Sequence, residues 1–238
     1  MTVSPWCSMA KQREAMTSEV VTDKLNHIYR RLLDNYGIQQ WWPADNPFQV
    51  MVGAILTQSA TWLNVEKAIA NLKAAQVLTP SALRKLSLAE LSALIHPCGY
   101  YNAKARKLKA FAGWLEECCA DNLEKLFVLD TDCLRQQLLA VYGIGPETAD
   151  SIILYAAGKP VFVIDTYTRR ISDRIGLVPK SNSYAAYQSL FMDSLPADTE
   201  LFNEYHALLV CLGKDVCRPR PLCRLCCLGD ICRFNEIN

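Results

Sequence analysis

Several features that would define other classes of protein are missing from this sequence. No apolar run reaches the roughly 20 residues that a membrane-spanning helix needs, and the N-terminal segment lacks the apolar core of a signal peptide. The three histidines, His27, His96 and His206, do not have the spacing of metal ligands, so they are interpreted as structural. We therefore expect an intracellular protein that makes no contact with a membrane.

A large net charge is also missing. The formal net charge of +1 does not by itself indicate a partner of either sign. The basic residues are nevertheless concentrated in three segments, which contain Lys104, Arg106, Lys107 and Lys109; Arg169, Arg170 and Arg174; and Lys214, Arg218, Arg220, Arg224 and Arg233. Together, such patches could hold a phosphate backbone on one face, although any single patch is also typical of solvated helix surface.

Cysteine, in contrast, is abundant, and its distribution is uneven. Five of the 11 cysteines lie between Cys217 and Cys232, and the others are scattered along the chain. A disulfide scaffold would be shorter and would spread its cysteines more evenly. The crowding therefore favours a metal site near the C-terminus.

The hydrophobic pattern is helical almost throughout. Apolar side chains recur at spacings of three and four residues, as in Val21, Leu25, Ile28 and Leu32. The pattern predicts helices over residues 20–36, 48–58, 61–74, 81–86, 88–95, 101–120, 131–141, 147–157, 166–175, 183–195 and 201–212. Residues 161–164 are a candidate strand, but one strand makes no sheet, so the predicted fold class is all-α. Residues 1–17 lack periodicity and are predicted to form a loose tail.

The segment Tyr142-Gly143-Ile144-Gly145-Pro146 lies between two of these predicted helices. Glycine tolerates positive φ, so two glycines separated by one residue favour a tight hairpin. Backbone N–H groups at the start of the following helix would then point outward, where they can bind a phosphate oxygen without side-chain charge. An ordinary helix–helix corner would have the same pattern.

Asp165 follows the apolar run 161–164 and directly precedes a predicted helix. An aspartate in this position suits an N-cap, whose side chain accepts a hydrogen bond from the first turn. It also suits a carboxylate held at the mouth of a cavity. The residues alone leave both interpretations open.

Four cysteines near the C-terminus form the pattern Cys217-x5-Cys223-x2-Cys226-x5-Cys232. A structural zinc site usually has two close ligand pairs, whereas this pattern contains one. Cysteine-only ligation with uneven spacing favours an iron–sulfur cluster, with zinc as the alternative. The neighbouring Cys227 is interpreted as a spare thiol.

The pairing of the glycine hairpin with Val163-Ile164-Asp165-Thr166 resembles the helix-hairpin-helix DNA glycosylases, typified by endonuclease III. Residues 46–67 and 99–105 match further segments of that family, and the resemblance extends over nearly the whole chain from about residue 20. It implies a six-helix barrel domain over residues 45–158 and a helical iron–sulfur domain built from residues 18–44 and 159–238. The expected partner is double-stranded DNA containing a damaged base, bound by a monomer in the cytoplasm with the nucleoid.

The resemblance also implies roles for particular residues. Asp165 would stabilise the positive charge that develops on the sugar as the glycosidic bond breaks, after the damaged base has been extruded from the duplex. Gln58 or Ser59 would fill the space that the base leaves. The residues expected to contact DNA are Gln58, Ser59, Gly143, Ile144, Gly145, Arg218 and Arg220.

The cysteine pattern resembles the loop that holds a [4Fe-4S] cluster in endonuclease III and in the adenine mismatch glycosylases. Its implied ligands are Cys217, Cys223, Cys226 and Cys232. The family form has six residues between the first two cysteines, whereas this sequence has five. The implied role of the cluster is structural support of DNA binding, without a part in bond cleavage.

Two further positions bear on the substrate. Bifunctional members carry a lysine two residues after the second hairpin glycine, where this sequence has Glu147, and a carboxylate cannot form an imine. The run Trp41-Trp42-Pro43, with Trp62, resembles the 3-methyladenine branch, whose pocket stacks aromatic rings on the base. A tryptophan face attracts a cationic alkylated purine by roughly 0.5–2 kcal/mol. The prediction is a monofunctional glycosylase for alkylated purines.

Other functions fit the same motifs. A glycosylase of this family could act on oxidised pyrimidines or on mismatched thymine. A DNA-binding protein without catalysis would keep the hairpin, and a redox sensor would keep the cysteines.

Overall fold

The computed structural model describes residues 18–234, which are helical and contain no strand. The all-α prediction is confirmed, and the predicted loose tail lies outside the described residues. The α-helices are α1 (Ser18–Tyr36), α2 (Pro47–Leu56), α3 (Trp62–Ala74), α4 (Pro80–Lys85), α5 (Leu88–Leu94), α6 (Tyr101–Cys119), α7 (Leu123–Phe127), α8 (Thr131–Ala140), α9 (Pro146–Ser151), α10 (Thr166–Arg174), α11 (Tyr184–Met192) and α12 (Thr199–Asp215). No helix within residues 18–234 combines the length and apolarity needed to cross a membrane.

Local capping signals explain where several helices begin. Asn46 caps α2, with Pro47 at the first helical position, and its side chain accepts a hydrogen bond from the N–H of Gln49. Ser87 and Glu90 form a reciprocal capping box at the start of α5. These pairs satisfy N–H groups that a helix N-terminus cannot satisfy internally.

The helices enclose two hydrophobic clusters. One is formed by buried residues between Phe48 and Val161, and the other joins α1 to the chain from Leu154 onward. A π-helical turn, Ile152–Ala156, continues α9 and contributes to both clusters, because Ile153 belongs to the first and Leu154 to the second. The turn therefore lies where the two clusters meet.

Lys104 belongs to a basic segment that was expected to lie on a solvated or DNA-facing surface, but the structure buries it. Lys104 is 2% exposed, and its ammonium donates to the carbonyl oxygens of Leu56 and Cys98 at 2.9 and 2.8 Å. Through these two hydrogen bonds, Lys104 joins α6 to the end of α2 and to the turn at Cys98. It is not available to a phosphate backbone.

Candidate active site

Asp165 occupies the N-cap of α10. Its Oδ1 accepts a hydrogen bond from the N–H of Thr168 at 2.7 Å. The side chain is 13% exposed, although residues 161–164 before it are buried. The carboxylate is thus a cap whose second oxygen lies at the edge of the packed interior.

That second oxygen faces a histidine. His206 on α12 places Nε2 3.8 Å from Asp165 Oδ2 and Nδ1 2.5 Å from the hydroxyl of Tyr155, which belongs to the π-helical turn. Burial lowers the pKa of His206, an effect that the charge of Asp165 partly offsets. Burial, with the charges of Asp165 and Glu204, raises the pKa of Tyr155 far above its ordinary value. The tyrosine hydroxyl and the imidazole are therefore both neutral.

Glu147, at the start of α9, brings a second carboxyl group to this region. Glu147 keeps an exposed surface, but partial desolvation by the surrounding protein, followed by repulsion from Asp165, raises its pKa to about 7. The hairpin helix and the N-cap of α10 therefore share one electrostatic environment.

Glu147→Gln is expected to increase the melting temperature at pH 8. Since the folded-state pKa is about 7 and the ordinary value is 4.5, the folded state favours the protonated carboxyl. The stability that this group contributes is full below pH 4.5 and is lost as the pH rises through about 7. Glutamine resembles the protonated form, so the difference in melting temperature should disappear toward pH 4.5.

The matched control is Glu200→Gln, at the corresponding second position of α12. Thermal melts of both variants and of the wild type from pH 4.5 to 8.5 provide the measurement. Equal melting temperatures for wild type and Glu147→Gln at pH 8 would contradict the assignment of a raised pKa.

The glycine hairpin is closed against α6. Gly143 has a φ of +83°, and a Cβ added there would lie 2.4 Å from Cγ of Lys107. A side chain at residue 143 would therefore be strained by its backbone conformation and would displace the lysine. Gly145 has an extended conformation and caps α9.

Gln58, one candidate for the residue that enters the DNA stack, is engaged with this hairpin. Its Nε2 donates to the carbonyl oxygen of Gly143 at 3.1 Å and to Oγ1 of Thr148 at 2.9 Å, and its Oε1 accepts from Lys107. Ser59, the other candidate, is exposed and has a positive φ of 53°. Gln58 would have to give up these hydrogen bonds to enter DNA, whereas Ser59 would not.

The three tryptophans that the sequence suggested as a base pocket contact one another. The ring centroids of Trp41 and Trp62 are 4.6 Å apart, and Trp42 lies 5.2 Å from each of the other two. Stacking a base between two rings requires roughly twice an aromatic contact distance of 3.5–4.0 Å. A base that used these rings would therefore have to stack on the outside of the group or separate two of its rings.

A cleft of about 360 Å³ opens beside the tryptophans. Trp42, Pro43 and Trp62 line it, together with Gln49 and Glu66 among others. Trp41 and Asp165 are not among its lining residues in the described part of the chain. The structure therefore brings three of the four predicted pocket residues to one cleft and leaves the candidate carboxylate outside it.

Trp42 nevertheless connects the cleft to the carboxylate. Its ring centroid is 5.3 Å from that of Tyr155, whose hydroxyl contacts His206 next to Asp165. Trp42 also lies against the backbone of Gly53, where an added Cβ would be 2.9 Å from Cζ2 of the indole. Any side chain larger than glycine at residue 53 would push Trp42 away.

The four cysteines of the C-terminal pattern surround one small cavity. Cys217, Cys223, Cys226 and Cys232 all line it, whereas Cys227 does not appear in its lining within residues 18–234. No set of three or more histidine, cysteine or acidic side chains in residues 18–234 is arranged to hold a metal ion. A tetrahedral zinc needs four sulfurs about 2.3 Å from one point. A cubane cluster, with one thiolate on each iron, would hold its sulfurs further apart than a single zinc ion does.

Helix α10, which Asp165 caps, also binds the cysteine loop, residues 217–232. Arg170 donates to the carbonyl oxygen of Cys217 at 2.8 Å, and Arg174 donates to that of Arg218 at 2.8 Å and to Cys217 Sγ at 3.2 Å. Arg218 and Arg220 themselves are exposed. The loop and the candidate carboxylate are therefore anchored to the same element, α10.

Two residues of the site were not identified from the sequence. His206 was interpreted as structural, and Tyr155 was part of an apolar helix without a function. Neither stands in a motif, and their contact with each other spans 51 residues. The sequence offered one signal for His206, which is a polar residue on the apolar face of a helix. A residue in that position is more often a core residue whose hydrogen bonds are satisfied than part of a functional site.

Comparisons with known proteins agree on the family. The model of the HhH-GPD superfamily, base excision DNA repair proteins, matches residues 52–197. A Methanocaldococcus jannaschii protein, whose name as a DNA repair glycosylase is provisional, is 42% identical over 207 residues, which cover 86% of this chain and 94% of the relative.

Solved structures share the fold. Endonuclease III trapped as a covalent intermediate with DNA superposes with a TM-score of 0.78 at 22% identity, and the match covers 91% of this chain and 97% of that one. The 3-methyladenine DNA glycosylase of H. pylori bound to 1,N6-ethenoadenine superposes with a TM-score of 0.69 at 24% identity, covering 84% and 98%.

The chain therefore belongs to the HhH-GPD superfamily of base excision DNA repair proteins. Within that superfamily it is a DNA glycosylase of the endonuclease III family. The family resemblance drawn from the hairpin and Asp165 is confirmed.

Proposed function

We propose that this protein is a monofunctional DNA glycosylase that removes alkylated purines, with Asp165 as the catalytic carboxylate. The observation that carries the proposal is the position of Asp165. Its Oδ1 is held by the N–H of Thr168 and Oδ2 lies at the edge of the interior, while the charge of Asp165 contributes to the raised pKa of the hairpin residue Glu147. A fixed negative charge stabilises the oxocarbenium character that develops as the base departs.

The aromatic cleft supports an alkylated purine as the substrate. Trp62 Nε1 donates to Oε1 of Glu66 at 2.8 Å, so a carboxylate is bound to the edge of a cleft-lining indole. A negative group at the ring edge strengthens the attraction of the ring face for a cation, and an N-alkylated purine is cationic. One structural neighbour is a 3-methyladenine DNA glycosylase bound to 1,N6-ethenoadenine.

The residue at the hairpin supports hydrolysis without strand cleavage. Glu147 stands two residues after Gly145, and its carboxyl group interacts electrostatically with Asp165. A carboxyl group cannot form the Schiff base that a lysine forms with the sugar. Water, oriented by Asp165, would instead complete the reaction at C1′.

We also propose that double-stranded DNA lies across the hairpin and the cysteine loop. Gly143, Ile144 and Gly145 would contact the backbone on one side of the lesion, with Arg218 and Arg220 on the other. Ser59 is the favoured residue to enter the stack, since Gln58 is engaged. We propose a division into a barrel domain, residues 45–158, and a second domain, residues 18–44 with 159–238. The active site would then lie between the two hydrophobic clusters.

The cysteine loop would hold a [4Fe-4S] cluster through Cys217, Cys223, Cys226 and Cys232, where it would stabilise the loop. Protein purified anaerobically is expected to contain about four irons per chain and to absorb in the visible region, as clusters held by four cysteine thiolates do. Cys223→Ser should reduce the iron content and weaken DNA binding. Cys227→Ser is the matched control and should leave both unchanged; loss of iron in this variant alone would contradict the ligand assignment.

A panel of duplexes tests the proposed function. Each duplex carries 3-methyladenine, an oxidised pyrimidine or a mismatched thymine, and abasic sites are revealed by alkali. We expect release of the methylated purine and no covalent complex after borohydride reduction, with a bifunctional endonuclease III as the positive control. Release of an oxidised pyrimidine alone would favour an endonuclease III-like substrate, in keeping with the TM-score of 0.78 to that enzyme.

A further inference from the structure

A buried histidine lies behind the proposed catalytic carboxylate. His206 is 6% exposed, and its Nε2 has no hydrogen-bond partner among residues 18–234. Oδ2 of Asp165 lies 3.8 Å from this nitrogen. An unsatisfied buried polar atom destabilises a fold, so its place next to a carboxylate calls for a functional explanation.

The neighbours of the ring decide which nitrogen carries the proton. A neutral imidazole has one donor and one acceptor nitrogen. The Tyr155 hydroxyl retains its proton, because burial raises its pKa, and it can donate to Nδ1 at 2.5 Å. Nε2 is then the protonated nitrogen. The opposite tautomer would direct the lone pair of Nε2 at a carboxylate, which is repulsive.

We propose that His206 is a positioning residue for Asp165, and that its Nε2–H, oriented by Tyr155, donates to Oδ2 when DNA is bound. This inference rests on the proposed catalytic role of Asp165. The distance must shorten by roughly 1 Å to reach hydrogen-bond length. Since Thr168 already holds Oδ1, the second donor would fix the plane of the carboxylate toward the sugar.

Tyr155 also connects this arrangement to the aromatic cleft. Its ring centroid is 5.3 Å from Trp42, which lines the cleft, and 5.9 Å from His206. A base that binds against Trp42 would therefore contact a side chain that packs against Tyr155, and Tyr155 orients His206. Base binding and carboxylate positioning are coupled through Tyr155.

Single-turnover kinetics on a duplex containing 3-methyladenine, with DNA affinity measured in parallel, test the inference. His206→Leu is expected to reduce the rate of base release about 10- to 100-fold, the effect of losing one hydrogen bond to a charged group, with the Kd for DNA within about twofold. His206→Gln should restore the rate to within about threefold of wild type, because its amide nitrogen can take the place of Nε2. His96→Leu, which changes an exposed histidine outside the site, should have no effect.

The tautomer has a separate readout. Because the chain has three histidines, ¹⁵N-histidine labelling gives few signals, and His206→Gln identifies the one that belongs to His206. The wild type should show the Nε2–H form. Tyr155→Phe, which removes one oxygen and keeps the ring against Trp42, should mix the tautomers and lower the rate about three- to tenfold.

The outcomes separate the two proposals. A wild-type rate in His206→Leu, or a rate in His206→Gln as low as in His206→Leu, overturns the positioning role while an inactive Asp165→Asn preserves the proposed function. An active Asp165→Asn refutes the proposed function itself. If His206→Leu does not fold, Tyr155→Phe decides: an unchanged rate with an unchanged tautomer overturns the inference.

Discussion

Asp165→Asn is expected to lower the single-turnover rate of base release from alkylated DNA by about 100- to 1000-fold. The substitution replaces a negative charge by a neutral amide at the position where positive charge develops on the sugar, and losses of this size follow removal of one preorganised electrostatic group. The amide oxygen can still accept the hydrogen bond from the N–H of Thr168 that caps α10. Asparagine and aspartate are comparable N-caps, so the melting temperature should change little.

The control for this variant is Asp130→Asn. Asp130 caps α8 in the same way, accepting from the N–H of Cys133 at 2.8 Å, and it is exposed. The two substitutions make the same chemical change at two caps, of which one belongs to the candidate site. Equal rates for both variants, with wild-type melting temperatures, would remove Asp165 from the mechanism.

Asp150→Ala is expected to lower the free energy of unfolding by about 3 kcal/mol, or the melting temperature by roughly 6–12 °C. Asp150 is fully buried and accepts from Arg135 Nε at 2.6 Å and from Gln188 Nε2 at 2.8 Å. Its removal leaves the guanidinium of Arg135, whose side chain is 27% exposed, without its carboxylate. Since this remaining exposure hydrates part of the charge, the expected loss is at the lower end of the range for buried pairs.

Because Asp150 lies on the helix that follows the hairpin, the same substitution also tests how strongly that helix is anchored to its neighbours. It lies on α9, directly after the glycine turn, and its partners belong to α8 and α11. Asp45→Ala is the matched control, because it breaks an exposed pair with Lys73 at 2.8 Å and should cost at most about 1 kcal/mol. Thermal or urea unfolding measures both. Equal losses would show that the buried pair contributes no more than a surface pair.

Much of the helical fold could be predicted because its signals act over a few residues. The predicted helix over residues 101–120 differs from α6 (Tyr101–Cys119) by one residue, and the predicted start at residue 48 is one residue after the first residue of α2, Pro47. The short α7 (Leu123–Phe127) was missed, since five residues are too few to show a period. The candidate strand at residues 161–164 is instead buried, irregular chain leading to Asp165.

The site could be predicted where a motif lies within one stretch of sequence. Gly143 requires a positive φ, Asp165 caps the helix that follows it, and the spacing of the four cysteines is typical of ligands for one group. These requirements hold whatever the rest of the chain does. Residue order alone was therefore enough to indicate the family and the candidate carboxylate.

Packing between distant segments decided the rest. Tyr155 and His206 meet behind Asp165 because the π-helical turn and α12 pack together, and the same kind of long-range contact buries Lys104 and closes the three tryptophans on one another. Such contacts depend on how helices fill space, which no short pattern of residues encodes. The sequence by itself determined which chemical groups this glycosylase has and where its helices begin, whereas only the tertiary structure decided which of those groups face each other.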